Sequence, residues 1–136
     1  MAKIIGIDAV LFIYLLEQNK RYLKQTKQIF NQLQTGDIGA ILSAIGLIEI
    51  LTGPKRQKRN DIAADYKRLI VNFPNLRIIG LTENIVDLAS DLRAKYKLAT
   101  PDAIHIATAI DANADEFITS DKALRKVKEI KVRVLV

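Results

Sequence analysis

The sequence predicts an α/β fold, a small and mostly parallel sheet flanked by helices, on three observations. Apolar runs of strand length alternate with segments of helical period along the whole chain. No linker or repeat interrupts the series. A length of 136 residues with 49% hydrophobic content suits a single domain, residues 1–136, with a sizeable core; it is too short for two.

The elements follow in order. Lys3 to Ile7 is an apolar first strand, and Val10 to Glu17 a short apolar helix. Arg21 to Gln34 places Leu23, Ile29, Phe30 and Leu33 on one face and stops at Gly36, a residue suited to a helix end. Ile38 to Leu42 is a second strand. Ser43 then caps a helix that is apolar nearly all round and runs to a break at Gly53-Pro54. Lys55 to Phe73 is expected to be helical with a strongly basic beginning, and Leu76 to Ile79 a third strand. Thr82 caps a helix carrying Ile85, Leu88, Ala89 and Leu92. Thr100-Pro101 opens another, Asp102 to about Ala112, with threonine as cap and proline where its missing N–H is not needed. Glu116 to Thr119 is a fourth strand, Asp121 to Val127 a short helix, and Val132 to Val136 an edge strand.

Composition narrows the chemistry. The absence of cysteine excludes disulfides, thiolate zinc sites and cysteine nucleophiles. The opening segment turns acidic at Asp8 before reaching signal-peptide length and no later run is long enough to span a membrane, so a soluble, cytoplasmic protein is expected. The net charge of +6 suits a polyanionic partner such as nucleic acid, and equally suits lysine-rich solubility. Neither GxGxxG nor GxxxxGK[ST] occurs, which argues against dinucleotide and P-loop nucleotide sites.

Four acids stand in unusual company. Asp8 ends an apolar strand and is followed by Ala9-Val10-Leu11-Phe12-Ile13; at the carboxyl end of a strand it can bind a ligand or cap the next helix. Glu49 is the single charge in Ala44-Ile45-Gly46-Leu47-Ile48-Glu49-Ile50-Leu51, either a buried carboxylate needing a partner or the one wet point of its helix. Asp102 lies in a first turn, where the helix dipole favours it, but the helix behind it is almost wholly apolar, which points that end into a cleft. Asp121 follows Phe117-Ile118-Thr119 and can cap the short helix after it. Carboxylates gathered in one site raise each other's pKa unless a divalent cation compensates. Oxygen-only ligands suit Mg²⁺ or Mn²⁺, ions that activate water for phosphodiester hydrolysis.

The chain resembles the PIN-domain nucleases, and in particular VapC-type toxins of prokaryotic toxin–antitoxin pairs. The resemblance spans essentially the whole sequence. It is carried by Ile7-Asp8 leading into Leu11 to Glu17, Ser43-Ala44 followed by Glu49, Thr100-Pro101-Asp102-Ala103 with Ile106 to Ala109, and Phe117-Ile118-Thr119-Ser120-Asp121. It implies a PIN-like parallel-sheet fold and a Mg²⁺- or Mn²⁺-dependent endoribonuclease acting on RNA. It also implies a homodimer inhibited by a cognate antitoxin. Asp8, Glu49, Asp102 and Asp121 match the family's catalytic, metal-binding acids, and Thr119 and Ser120 match positions that can orient a ligand or phosphate. Ala9 and Val10 depart from the pattern, which usually has a hydroxyl residue after the first aspartate; the departure implies fewer hydrogen-bond donors around the metal.

Other residues are read conservatively. His105, the only histidine, lies one turn beyond Asp102 and is assigned to the core edge. Lys55-Arg56-Gln57-Lys58-Arg59, read as a helix beginning where cations oppose the dipole, is a candidate for RNA phosphates, as are Arg93, Lys95, Lys97, Lys122, Arg125 and Lys126. Tyr14, Tyr22, Phe30, Tyr66 and Tyr96 are read as core or interface. Competing functions are a PIN nuclease without an antitoxin, a weakly active or metal-free RNA- or protein-binding module, and a signalling receiver domain. The last lacks its paired acids after the first strand.

Overall fold

A computed structural model describes residues 2–136; Met1, the first residue of the expected 1–136 domain, lies outside the described residues. Five strands are present: β1 (Lys3–Ile7), β2 (Ile38–Ser43), β3 (Leu76–Ile79), β4 (Glu116–Thr119) and β5 (Lys131–Val134). Between them run α1 (Ala9–Leu16), α2 (Leu23–Thr35), α3 (Ala44–Arg56), α4 (Asn60–Val71), α5 (Glu83–Tyr96) and α6 (Thr100–Asp111). A short 3₁₀ helix, Lys122–Lys126, precedes β5. The strands pair in the order β3-β2-β1-β4-β5, and every pairing is parallel.

A parallel sheet needs both faces covered, which is why its strands are apolar throughout rather than alternating. Ile5, Ile7, Leu42 and Ile118 pack on one face with Phe12, Phe30 and Leu33 of α1 and α2. Phe117 packs on the other with Ala103, Ile106 and Ala109 of α6 and Ile85 and Leu92 of α5. Gly6 sits at the tightest contact between sheet and helix: a Cβ there would lie 2.5 Å from the Cβ of Ala109. Gly36 ends α2 at φ 85°, the left-handed conformation that glycine adopts without steric cost. Among the described residues no helix is long and apolar enough to cross a membrane.

At the amino-terminal end of the sheet, Glu116 is fully buried yet ionic. Arg133 (2.9 Å), Lys3 (3.0 Å) and Lys131 (3.5 Å) surround its carboxylate. Burial works to raise its pKa, but Lys3 and the charges of Arg133 and Lys131 outweigh it and hold the group below its ordinary value. These pairs fasten β1 and the edge strand β5 to β4.

Most element ends, including both ends of the edge strand, move from expectation by one or two residues; three differences change the reading. α3 does not break at Gly53-Pro54 but continues through Arg56. Proline removes one N–H from the ladder, and the helix is carried past it by Gln57 N donating to Gly53 O (3.3 Å) and Arg59 N to Pro54 O (2.9 Å). Lys55 and Arg56 therefore end a helix, where cations suit the dipole, and α4 begins only at Asn60. Thr100 is not a cap: Ala99 holds that position without a side-chain hydrogen bond, and Thr100 and Pro101 lie inside the first turn.

Candidate active site

β1 is flanked by β2 on one side and β4 on the other, so the chain order reverses between β1 and β4. The crevice at the carboxyl ends of strands around such a reversal is where open α/β sheets bind ligands. Asp8 lies at its lip, directly after β1, its backbone N–H held by Ile118 O of β4 (3.0 Å). One carboxylate oxygen, Oδ1, accepts from Val10 N (3.2 Å) and caps α1. The other, Oδ2, accepts from the hydroxyl of Thr119 (2.8 Å), at the end of β4. The same hydroxyl accepts from Asp121 N (3.1 Å), and Asp121 Oδ1 in turn caps the 3₁₀ helix through Ala123 N (2.9 Å). Asp8 and Asp121, distant in sequence, are thus tied to one hydroxyl.

Asp102 enters from α6, whose amino terminus points toward the same edge of the sheet. Its pKa is raised above the ordinary 3.8, first by burial and then by the negative charge of Asp8; His105 opposes the shift, and Asp121 and Glu49 add to it. Asp8, Asp121 and Glu49 therefore each lie within Coulombic reach of Asp102. Glu49 comes from α3, which follows β2. Its carboxylate meets the Nε2 of His105 at 2.5 Å, and the Nδ1 of that ring meets the hydroxyl of Ser43 at 2.9 Å. Ser43 is the cap of α3, accepting from Gly46 N (3.1 Å).

A model of the PIN domain matches residues 5–130. The chain belongs to the PIN-domain family. No curated relative matches it at a significant level. Solved structures share its fold over nearly the full length. VapBC2 of Rickettsia felis, bound to a DNA fragment from its promoter, superposes with TM-score 0.79 at 16% identity, covering 98% of this chain and 99% of that one. VapC20 of Mycobacterium tuberculosis, titled a sarcin-ricin loop cleaving toxin, gives TM-score 0.71 at 13% identity, with 95% and 99% covered. A toxin–antitoxin complex from Klebsiella pneumoniae gives 0.69 at 23% identity, with 95% of each chain covered.

In this PIN domain the structure brings the four sequence-predicted acids together but alters the reason for one of them. Glu49 is not buried. Only Gly46 and Ile50 of α3 are buried, Ile48 is 60% exposed, and the Glu49 side chain is 41% exposed. α3 is apolar on an outward surface as well as toward the core, so apolar neighbours did not mean enclosure. Asp8 and Asp121 do cap helices, as the simpler reading had it, but each cap uses one oxygen and aims the rest of the carboxylate. Thr119 is fully buried and orients Asp8 rather than a ligand. It also supplies the donor that Ala9 cannot. Ser120 is engaged with Tyr14, hydroxyl to hydroxyl at 2.8 Å.

Sequence reading assigned no role to the Ser43–His105 contact. The two residues are 62 positions apart, and only the one-turn offset of His105 from Asp102 hinted at a shared site. Of the basic candidates, Arg93 donates to Leu98 O (3.0 Å) and Lys95 pairs with Glu129 (3.4 Å). Lys122, Arg125 and Lys126 are exposed on the 3₁₀ helix that Asp121 caps.

An oxygen-only donor set with surplus negative charge fits a hard divalent cation. Among the described residues no group of three or more carboxylates or imidazoles is placed to hold a metal ion. Mg²⁺ does not need three such ligands, since it keeps several waters and takes only one or two protein carboxylates beside substrate phosphate.

Proposed function

We propose that this PIN domain is a Mg²⁺- or Mn²⁺-dependent endoribonuclease, the cytoplasmic toxin of a toxin–antitoxin pair, acting as a homodimer and restrained by a cognate antitoxin. The observation that carries this reading is the placement of Asp8 and Asp121 on the Thr119 hydroxyl and of Glu49 on His105, around Asp102, whose carboxyl is pushed up first by burial and then by Asp8, with His105 opposing and Asp121 and Glu49 adding. Such repulsion disfavours the metal-free site and is relieved when a cation enters.

Asp8 and Asp102 would be the principal ligands, with Glu49 and Asp121 at the rim. A divalent ion held there supplies a water nucleophile of lowered pKa and charge stabilisation on the phosphodiester. The protein's part is orientation. Thr119 holds Asp8 by Oδ2, the first turn of α6 presents Asp102, and the cap at Ala123 fixes Asp121. Two structural neighbours support the toxin assignment, one titled a toxin–antitoxin complex and the other a toxin.

The test is cleavage of RNA by purified protein. Cutting is expected with Mg²⁺ or Mn²⁺ and not in EDTA, and Asp8→Asn or Asp102→Asn is expected to abolish it with the fold retained. Undiminished cleavage in EDTA overturns the metal mechanism. RNA binding without cleavage at any metal concentration would favour a binding module instead. Arrest of growth on expression, relieved by a neighbouring gene, tests the toxin assignment separately.

A further inference from the structure

We infer that His105 is a positioning residue, held by Ser43 as the tautomer with its proton on Nε2 so that it fixes the Glu49 carboxylate at the rim of the acidic site. The inference rests on the reading of Glu49 as a carboxylate of that site. Three contacts carry it. Gly46 N donates to Ser43 Oγ (3.1 Å), Ser43 Oγ meets His105 Nδ1 (2.9 Å), and His105 Nε2 meets Glu49 Oε1 (2.5 Å).

The tautomer follows from the partners. A ring nitrogen facing a carboxylate oxygen must carry the proton, because two lone pairs would otherwise oppose one another. In the neutral ring Nδ1 is then an acceptor, and Ser43 is the donor it needs. The serine oxygen already takes the Gly46 N–H, so its own hydrogen is free to point at Nδ1. The Ser43 hydroxyl and both ring nitrogens of His105 thus each have a partner of the right kind, as burial requires. The side chain of His105 is 1% exposed, and Ser43 is 3% exposed.

The order serine–histidine–carboxylate invites comparison with a hydrolytic triad, but the geometry excludes that chemistry. Ser43 is buried, and its oxygen is engaged as the cap of α3. The chain works in the opposite direction, from a fixed backbone to a mobile acid. Glu49 is 41% exposed on an outward turn of α3, where a long side chain would otherwise sample many rotamers in water. One oxygen bonded to a buried ring leaves Oε2 available to a ligand. The ring also joins α3 to α6, so Glu49 is referenced to the helix that presents Asp102.

Mn²⁺ titration calorimetry on the full chain provides the first test. His105→Leu is expected to weaken Mn²⁺ binding about 10- to 100-fold, the usual effect of removing a group that orients a ligand. Glu49→Gln is expected to weaken it comparably, and the double variant no further than Glu49→Gln alone. His105→Gln, which retains an N–H donor, is expected to recover most of the affinity. Losses that multiply in the double variant, or unchanged affinity in His105→Leu, overturn the inference.

A second test needs neither metal nor RNA. As the chain has one histidine, its ¹⁵N–¹H imidazole spectrum reports a single ring. The Nε2–H form is expected, with its ring-proton resonance shifted by Glu49→Gln. An Nδ1–H ring, or one indifferent to Glu49, overturns the inference even if His105→Leu fails to fold. If wild type binds no Mn²⁺ while the ring behaves as expected, the metal reading falls and the positioning of Glu49 stands.

Discussion

Replacing Gly6 with alanine tests how the sheet sets the spacing of the acidic site. The new Cβ would lie 2.5 Å from Ala109 Cβ, 3.2 Å from Phe117 Cδ1 and 3.5 Å from Ala109 Cα. Carbon atoms settle at about 3.5–4.0 Å, so the first contact must open by roughly 1–1.5 Å. Ala109 has no rotamer through which to withdraw, and the displacement falls on α6 itself. Overpacking of this kind costs about 1–3 kcal/mol. For a domain of this size that lowers Tm by about 3–4 °C per kcal/mol, readable by circular dichroism. Because α6 carries Asp102 and β1 leads into Asp8, the same displacement changes their separation. A misplacement near 1 Å costs roughly 10²-fold in rate, so RNA cleavage should fall more than the small unfolded fraction explains. The double variant Gly6→Ala/Ala109→Gly removes the obstructing methyl. Glycine in the helix costs about 1 kcal/mol by itself, so the double variant should lose less stability than the two single losses added. An unchanged Tm in Gly6→Ala, or strictly additive losses, would refute the packing argument.

Two further predictions concern charge. Asp102 has a folded-state pKa above 3.8, so the folded protein binds this proton more tightly than the unfolded chain does. Its ionisation therefore opposes folding above that raised value, and the penalty is relieved as pH falls through it toward 3.8. Metal-free Asp102→Asn should melt above wild type at pH 7, with the difference shrinking across that acid window; added Mn²⁺ should narrow it as well by stabilising wild type. A variant less stable than wild type at neutral pH would contradict this sign. Lys55, Arg56 and Lys58 are exposed, and among the described residues none lies within salt-bridge distance of a carboxylate. If they bind RNA phosphates, Lys55→Gln/Arg56→Gln should lower the slope of log affinity against log salt by about 0.7 per contact for single-stranded RNA. Fluorescence anisotropy in an Asp8→Asn background measures this, and an unchanged slope would place the RNA elsewhere.

What was legible in the sequence depended on how local its cause was. The strands Leu76–Ile79 and Glu116–Thr119 were read with their observed bounds, because short apolar runs between turn signals have one local solution. The caps at Ser43 and Thr82 were read for the same reason: each side chain bonds a backbone N–H three residues on. The end of α3 was misread because a proline near a helix end interrupts one hydrogen bond, and the bonds beyond it decide whether the helix continues. Glu49 was singled out as a buried carboxylate, and that ground fails. Apolar neighbours measure what a helix could bury, and α3 leaves Ile48 60% exposed on an outward face.

The contacts that organise the site were the least legible, since they depend on which strands become neighbours. β1 and β4 pair although more than a hundred residues separate them, and this pairing alone brings the Thr119 hydroxyl to Asp8 across a separation of 111. Read singly, Asp8 and Asp121 posed a choice between capping a helix and serving a site. In the folded chain the alternatives merge. A carboxylate has two oxygens, and anchoring one to a backbone N–H removes the rotational freedom that would blur the position of the other. The local rule that made these residues look ordinary is therefore what gives them fixed orientation, and the strand order decides that they face a common crevice.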